Sequence, residues 1–237
     1  LERVVVRPRP RIHPDPHSID EAVEQLWQAK RVLVISGRGA KGASSALIRL
    51  LDQLGAVYLD TGESRGLVPE SHPSVIAAMR GAVMSQADVI LTLGRKLDFQ
   101  LAYGSPSVFG QAKWVRVADC ASELRDNRRG EVEVLADVTT ALEAMLARAG
   151  SRQSAGDRQW AKGLREQHLA RANKMKASMS VAPQGHDGRM HPNRLLAALH
   201  SVLDERAIVV ADGGDFLSFA RVGLSAPTYL DPGSLGC

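Results

Sequence analysis

Five short runs of apolar residues, rich in Val, Ile and Leu, recur within the first 150 residues, with helical patterns among them. Strands buried on both faces of a parallel sheet are continuously apolar, and parallel neighbours need a crossover, which is usually a helix. The pattern therefore predicts an α/β fold with a doubly wound, Rossmann-like parallel sheet. The predicted strands are residues 31–36, 56–60, 88–93, 113–117 and 131–136, and predicted helices include residues 43–54 and 138–149.

Shifts in composition divide the chain into four segments. Residues 1–17 are rich in proline and basic side chains and are predicted to form an extended N-terminal linker. Residues 18–150 carry the alternating strands and helices and are predicted to be one α/β domain. Residues 151–188 are predicted to be an inter-domain linker with a charged surface helix. Residues 189–237 begin a second α/β domain, of which one helix and one strand are predicted before the chain ends.

The start of the central domain carries a helix-capping signal. Ser18 precedes an amphipathic stretch, and Glu21 follows three residues later. At this spacing the serine hydroxyl and the glutamate carboxylate can each accept a backbone N–H at the first turn of a helix. A capping box and a helix over residues 19–28 are therefore predicted.

The first strand runs into the turn "GRGAKG", which has Gly37, Gly39 and Gly42 in the G-x-G-x-x-G spacing. In dinucleotide-binding turns of this kind, backbone N–H groups and a helix N-terminus approach phosphate oxygens, and here Arg38 would add positive charge. Asp60 stands where such a fold holds a ribose hydroxyl. Glycines also permit a tight turn between a strand and a helix without any ligand. The turn by itself therefore leaves an NAD-binding module and a plain turn as alternatives.

Composition and spacing exclude several classes of function. The net charge of +4 is scattered and only 4% of residues are aromatic, so no nucleic-acid partner is expected. No apolar run reaches the roughly 18–20 residues of a membrane span and no secretory leader is present, so a cytoplasmic protein without membrane contact is predicted. Cys120 and Cys237 lack metal-ligand spacing, as do the histidines, and no metal site is predicted. The chain begins with Leu1 and stops in a glycine-rich turn, which suggests part of a longer protein.

Five motifs occur in one order along the chain and carry a family resemblance. They are "GRGAKGASSALIRLLDQLGAVYLDTGESRGLVPESHP", "ADVILTLGRKLDFQLAYG", "ASELRDNRRGEVEVLADV", "IVVADGGDFLSFA" and "YLDPGSLGC". In this order the chain resembles the thiamine-diphosphate-dependent acetolactate synthase family, of which 2-hydroxyacyl-CoA lyases and oxalyl-CoA decarboxylases are near relatives. The resemblance implies that residues 18–150 are the central domain of such an enzyme and that residues 189–237 begin its diphosphate-binding domain.

The resemblance also implies two sets of cofactor-binding residues. The first would hold an adenine nucleotide (FAD, ADP or CoA) in a role without redox chemistry, and it comprises Gly37, Arg38, Gly39, Gly94, Arg95, Asp98, Asp119, Glu123 and Asp137. The second would contact thiamine diphosphate, which binds with Mg²⁺ in the intact enzyme, and it comprises Gly213, Gly214, Asp215, Phe216 and Gly236. With this family in view, Asp60 is interpreted as a plain strand end. No catalytic residue and no metal ligand is assigned within this chain.

One position departs from the family pattern. Just after the motif that reads "LGRKLD" here, acetolactate synthases typically carry an arginine that contacts both flavin and substrate, whereas this chain has Phe99 and Gln100. A neutral amide cannot replace the bidentate carboxylate clamp of a guanidinium. The resemblance therefore leaves FAD dependence and strict specificity for 2-keto acids open.

The activity that the resemblance implies is that of a transferase or lyase. An acetolactate synthase-like carboligase or decarboxylase would form a C–C bond from 2-keto acids through a thiamine-diphosphate enamine, and an acyl-CoA lyase or decarboxylase is the alternative. The pyrimidine-binding domain and the downstream Mg²⁺-binding segment of the family are not in this sequence, so the chain alone is predicted to be inactive. A homodimer or homotetramer is expected of the intact enzyme. A non-catalytic module that binds NAD or ADP is the alternative from another class.

Overall fold

The computed structural model describes residues 10–185, 187–204 and 206–231. Its central feature is a sheet of five parallel strands. The strands are β1 Val32–Ser36, β2 Val57–Leu59, β3 Val89–Leu93, β4 Lys113–Ala118 and β5 Val132–Leu135. Their order is β2-β1-β3-β4-β5, so the chain starts inside the sheet and winds outward to both sides. The predicted doubly wound fold and its five strands are confirmed.

Helices cover both faces of this sheet. They are α1 Pro16–Gln28, α2 Ser44–Leu54, α3 Arg80–Gln86, α4 Pro106–Phe109, α5 Ala121–Leu124 and α6 Val138–Ala149. On one face, Leu47 of α2 and Leu142 of α6 share a core with Val34 of β1. On the other face, Met84 of α3 and Phe109 of α4 belong to a second core. Because successive residues of a strand point to opposite faces, this three-layer arrangement requires the continuously apolar strands of the sequence.

The first helix begins earlier than predicted. α1 starts at Pro16, and its N-cap is Asp15, whose carboxylate accepts the Ser18 N–H at 2.9 Å. Proline suits the first helical position because its fixed φ is helical and its missing N–H would have no partner there. The predicted capping box of Ser18 and Glu21 is therefore wrong. The Ser18 hydroxyl donates instead to the Asp15 carbonyl at 2.9 Å.

The charged stretch after the central sheet forms one long helix, α7 Arg158–Ser180. Three of its residues, Leu164, His168 and Met179, are buried. The Arg165 guanidinium donates to the Val75 carbonyl at 2.6 Å, which holds the helix against the segment after β2. α7 is therefore anchored to the central unit and is more than a solvated surface helix. None of the described helices, α7 included, is long and apolar enough to span a membrane.

A second and smaller sheet follows α7. Its elements are α8 Pro192–His200, β6 Ile208–Val210, α9 Asp215–Gly223 and β7 Thr228–Leu230. β6 and β7 pair in parallel, separately from the five-stranded sheet. Leu196, Leu217 and Tyr229 pack in a core of their own. The sequence predicts α8 and β6 but not α9 or β7. β6 lies within the apolar run "AIVVA", whereas β7 reads "TYL" between Pro227 and Asp231 and shows no such run.

Candidate functional site

The residues proposed to bind a nucleotide all lie at the carboxyl edge of the five-stranded sheet. The chain leaves the neighbouring strands β1 and β3 in opposite directions, and folds of this class bind ligands at such a point. With about 4.8 Å between strands, the edge from β1 to β5 extends for about 14 Å. Along it stand Gly37, Arg38 and Gly39 after β1, Gly94, Arg95 and Asp98 after β3, Asp119 and Glu123 after β4, and Asp137 after β5.

The glycines of this edge are required by close backbone contact. The Gly37 N–H donates to the Leu93 carbonyl at 2.9 Å, and the Gly39 N–H donates to the Gly94 carbonyl at 3.1 Å. A Cβ on Gly37 would lie 2.4 Å from the Gly94 carbonyl oxygen, and a Cβ on Gly94 would lie 2.4 Å from the Gly39 Cα. Gly94 also has a φ of +54°, which glycine adopts readily. These three positions therefore need glycine whether or not a ligand binds.

The same hydrogen bonds change the role expected of the turn after β1. The sequence assigns the N–H groups of Gly37 and Gly39 to phosphate oxygens, whereas in the structure both donate to the end of β3 and the loop after it. Gly42 is the open glycine of the motif: its φ is +90°, and a Cβ there would meet no atom within 4 Å. A phosphate contact at this turn stays a prediction, and it would involve the Arg38 side chain and the N-terminus of α2, which begins at Ser44.

An ion pair stands beside the glycine contact. Arg95 is only 6% exposed, and its Nη1 and Nη2 atoms donate to the two carboxylate oxygens of Asp98 at 2.8 and 2.9 Å. Nη2 also donates to the Gln100 side-chain oxygen at 3.0 Å. The Arg95 Nε is buried without a hydrogen-bond partner among the described residues. Gln100, the residue that departs from the family pattern, therefore completes an internal charge network that still has one unsatisfied donor.

A second guanidinium, that of Arg80 at the start of α3, lies against the same loop. Its Nη2 atom donates to the Gln100 carbonyl at 2.7 Å. Burial lowers the pKa of Arg80, the nearby Arg95 lowers it further, and Asp60 acts in the opposite sense. Burial raises the pKa of Asp60, against the attraction of Arg65 and Arg80. Asp60 thus belongs to a group of partly desolvated charges, and the interpretation as a plain strand end is too simple.

The acids further along the edge lie in different surroundings. Asp119 follows β4 directly, Glu123 lies in α5, and both are half-buried. Asp137 is the N-cap of α6, where its Oδ1 atom accepts the N–H groups of Thr139 and Thr140 at 3.0 and 3.3 Å. A cap of this kind contributes about 1 kcal/mol to stability. Asp137 therefore has a structural role besides the adenine contact predicted for it.

Arg116, a residue of β4, was not predicted from the sequence, and its hydrogen bonds hold the loops of this edge together. The side chain is 1% exposed, and its Nη1 and Nη2 atoms donate to Asp126 at 2.7 and 3.2 Å. Nη2 also donates to the Glu123 carbonyl at 2.6 Å, while Asp126 accepts the Leu97 N–H at 2.8 Å. Arg116 thereby ties the loop after β4 to the loop after β3. The only signal in the sequence is one arginine within the apolar strand "KWVRV".

The turn proposed for thiamine diphosphate follows β6, at the N-terminus of α9. Gly214 has a φ of +77°, and a Cβ there would meet no atom within 4 Å. The Gly213 N–H donates to the Asp212 carboxylate at 2.7 Å, which closes the turn on one side. Asp215 and Phe216 are exposed at the first turn of α9. This glycine turn is therefore open to solvent, unlike the contact between the turns after β1 and β3.

A cavity of about 440 Å³ lies between the turn after β1 and the ends of β6 and β7. Arg38 and Lys41 line one side, and residues 210–212 and 229–231, at the ends of β6 and β7, line the other. Gly236, the fifth residue proposed for thiamine diphosphate, lies outside the described residues. Within the described part of the chain, no three His, Cys, Asp or Glu side chains are grouped so that they could hold a metal ion.

Comparison with known proteins shows the class to which this architecture belongs. Residues 19–145, which include the whole five-stranded sheet, match the family described as "Thiamine pyrophosphate enzyme, central domain". The chain therefore belongs to the family of thiamine-pyrophosphate-dependent enzymes, and the resemblance that its motifs carry is confirmed.

Three relatives show how the similarity extends beyond that domain. The chain is 32% identical over 226 residues to "Probable acetolactate synthase" of Mycobacterium bovis, an alignment of 93% of this chain and 40% of the relative. It is 30% identical over 247 residues to "2-hydroxyacyl-CoA lyase 2" of Caenorhabditis elegans, covering 98% and 38%. It is 26% identical over 221 residues to "Oxalyl-CoA decarboxylase" of Escherichia coli, covering 92% and 38%. The chain thus spans about two fifths of the length of the curated relatives that it matches.

Proposed function

We propose that this chain is part of a thiamine-diphosphate-dependent carboligase or decarboxylase that acts on 2-keto acids, as acetolactate synthases do. The extent of the similarity carries this proposal: the alignment with the M. bovis relative covers 93% of the chain. It therefore includes the five-stranded sheet and the open turn after β6. A module that only bound NAD or ADP would have no use for the second turn.

A second candidate is an activity on acyl-CoA substrates, as a 2-hydroxyacyl-CoA lyase or oxalyl-CoA decarboxylase. Gln100 favours it, because the arginine expected after "LGRKLD" in an acetolactate synthase is missing. The two guanidiniums at this loop are already engaged: Arg95 pairs with Asp98, and Arg80 donates to the Gln100 carbonyl. Neither replaces the lost carboxylate clamp.

The turn after β6 fits the diphosphate of the cofactor. Gly214 leaves space above the backbone, and the N-terminus of α9 attracts anions through its N–H groups and dipole. The carboxylates of Asp212 and Asp215 would repel a bare diphosphate, so we expect it to bind together with Mg²⁺. Thiamine diphosphate supplies the carbanion and the electron sink when bound. We therefore expect Gly214, Asp215 and Phe216 to contact the cofactor. The hydrogen bond from the Gly213 N–H to the Asp212 carboxylate would stabilise the turn.

The edge of the five-stranded sheet suits an adenine nucleotide (FAD, ADP or CoA). Arg38 and Lys41 would offer positive charge to its phosphates, and the buried Arg95 Nε has no acceptor among the residues that the structure describes. Asp119 and Glu123 would accept from ribose hydroxyls further along the edge. Asp98 would act through Arg95, which it holds in place.

Calorimetric titration of the chain with FAD, ADP, CoA and NAD tests the nucleotide proposal. We expect one of the first three to bind more tightly than NAD, and Arg38→Gln to weaken that binding by about tenfold, since a charge-assisted hydrogen bond is lost. Arg49→Gln, on the exposed side of α2, is the matched control and should leave affinity unchanged. Preferential binding of NAD would reject the proposal.

Substrate assays test the activity. With thiamine diphosphate and Mg²⁺, we expect the chain alone to give no turnover of pyruvate, a 2-hydroxyacyl-CoA or oxalyl-CoA. The pyrimidine-binding domain and the Mg²⁺-binding segment that the resemblance implies for the intact enzyme are not in this sequence. A longer protein that contains this chain is then assayed with the same substrates. Acetolactate formed from pyruvate would support the first candidate, and turnover of either acyl-CoA alone would support the second.

A further inference from the structure

A groove runs between α7, the segment after β2 and the end of α9, away from both glycine turns. Two cavities of about 420 and 370 Å³ form it. They share five lining residues, so they are parts of one continuous space that we call the α7 groove. The shared residues are Glu70, Ala77, His168, Leu224 and Ser225.

His168 lies in the middle of the α7 groove with one ring nitrogen committed. It is 4% exposed, and its Nδ1 atom accepts the Ala78 N–H at 3.1 Å. The proton of the neutral imidazole is therefore on Nε2. Burial lowers the pKa of His168, and Arg165 and Lys176 lower it further against the opposing effect of Glu70, so the neutral form prevails at pH 7. No described residue accepts a hydrogen bond from Nε2, and this atom is not among the fully buried polar atoms that lack a partner, so it is accessible from the groove.

The charges that line the second cavity are mostly positive. Arg171 and Lys176 come from α7, and Glu70 is the acidic residue among them. Arg221 also lines this cavity, but its guanidinium is paired with a carboxylate on the far side of α9. An anion placed beside His168 would therefore be attracted by two side chains of α7.

The remainder of the wall is apolar and partly exposed. Met175 is 38% exposed and Val222 is 57% exposed, while Met179 and Leu224 are buried behind them. Methionine side chains adapt to ligands of different shape because they are unbranched and flexible. An aliphatic chain could pack against Met175 and Val222, in the same cavity that Arg171 and Lys176 line. The size of each cavity lies within the range of small-molecule sites, about 300–1,000 Å³.

We propose that the α7 groove binds a medium-chain aliphatic carboxylate. The carboxylate accepts the Nε2–H of His168 and lies near Arg171 and Lys176, and the alkyl chain packs along Met175 and Val222. This site is separate from the two glycine turns, so its occupancy does not depend on the function proposed for them. Because α7 contacts both the central unit and α8, a ligand here would brace the helix that connects the two sheets.

Titration calorimetry of the chain with octanoate tests this site, with octanol and octylamine as probes that keep the alkyl chain and change the head group. We expect octanoate to bind at least about tenfold more tightly than either, since only it satisfies the donors and positive charges. Equal affinity for octanol would overturn the proposal, because it would show that the groove binds the alkyl chain without recognising the carboxylate.

Two pairs of surface variants locate the site. Val222→Glu places a negative charge in the wall and should weaken octanoate binding by about tenfold or more, whereas Val202→Glu, at a site 73% exposed outside the groove, should not. Lys176→Gln should weaken it by about two- to fivefold, and Lys174→Gln, also exposed on α7 but outside the groove, should have no effect. Since all four positions are exposed, folding should be preserved. Equal effects within both pairs would place octanoate elsewhere and refute the assignment.

Discussion

The turn after β1 and the turn after β6 each join a strand to a helix through closely spaced glycines, but the space around those glycines differs. At the first, a Cβ on Gly37 would lie 2.4 Å from the carbonyl oxygen of Gly94. At the second, a Cβ on Gly214 would meet nothing within 4 Å. Glycine is thus needed for packing at one turn, whereas at the other it leaves backbone accessible. A glycine spacing identifies a turn, and only its neighbours show whether the turn can receive a ligand.

The loops around the two turns differ in the same way. In the central unit, Arg116 is buried and ties the loops after β3 and β4 together through Asp126. In the second unit, one face of the small sheet is exposed, with Ile208 at 66% and Val210 at 71%. The central edge is therefore a stiff structure that holds side chains in place, and the second is less constrained.

The largest effect expected is that of Arg116→Met. It leaves the Asp126 carboxylate and several carbonyls without their donor, and breaking a buried ion pair in this way costs about 3–5 kcal/mol. Urea unfolding followed by circular dichroism measures the loss. The control is Arg129→Met, which removes an ion pair to Glu133 from a side chain that is 65% exposed, and it should cost at most about 1 kcal/mol. Similar losses in the two variants would show that Arg116 does not organise the edge.

Gly94→Ala should have the next largest effect. The added methyl would lie 2.4 Å from the Gly39 Cα, and alanine is also strained at a φ of +54°. Overpacking and this strain together should cost about 3 kcal/mol in the same unfolding experiment. Gly214→Ala meets no clash, but its φ of +77° and ψ of −176° fall in a region almost confined to glycine, and the variant should cost about 2 kcal/mol. If both variants lost the same stability, the contrast between the packed turn and the open turn would be wrong.

The helix that connects the two units should make stability depend on pH. The folded-state pKa of His168 lies below its ordinary value of 6.5, with burial as the main cause. Between that folded pKa and 6.5 the unfolded chain binds more protons, so the free energy of unfolding falls as the pH falls below 6.5. His168→Asn, which keeps an acceptor for the Ala78 N–H, should flatten this slope in urea midpoints measured from pH 7.5 to 5.5.

The control for this pH dependence is His17→Gln, because the His17 side chain is 81% exposed. It should leave the slope as it is in the unmodified chain. A slope that persists in His168→Asn would assign the effect to other groups.

Asp60→Asn should have the smallest effect on the free energy of unfolding, and it should increase that energy where the other variants lower it. Burial raises the pKa of Asp60 above its ordinary value of 3.8, so the ionised carboxylate disfavours folding at pH 7 despite Arg65 and Arg80. The amide should therefore increase the urea midpoint slightly at pH 7. The gain should shrink as the pH falls and should vanish below 3.8, where the aspartic acid is neutral in both states. A decrease at pH 7 would show that the two arginines outweigh burial.

Much of the fold could be predicted because its signals are local. An unbroken apolar run such as residues 31–36 predicts a buried strand wherever it occurs in a chain, and α2 shows its buried face in four leucines. β7 was not predicted because its run "TYL" lacks the β-branched apolar residues that mark β6, and the strand is stabilised by its pairing with β6. The capping box was predicted wrongly because Asp15 caps the helix and Pro16 begins it, three residues before the Ser18 that was predicted to be the cap.

The candidate site was predictable in position but not in chemistry. Strand ends in a parallel sheet share one edge, so Gly37, Gly94 and Asp137 were expected to lie along it, and they do. The bonding of the Gly37 N–H to β3 could not be predicted, because it depends on the approach of two backbones that are far apart in sequence. The same holds for His168, whose partner at Ala78 is 90 residues away.

The sequence by itself determined the family and the doubly wound sheet, because ordered motifs and apolar periodicity are written along the chain. The tertiary structure alone decided which glycines are packed and which are open. It also decided that Arg116 is buried and connects the loops after β3 and β4, and that α7 forms one wall of a groove at His168. These properties depend on which atoms meet across long sequence separations, and hydrogen-bond partners, burial and charge pairing exist only once those atoms have met.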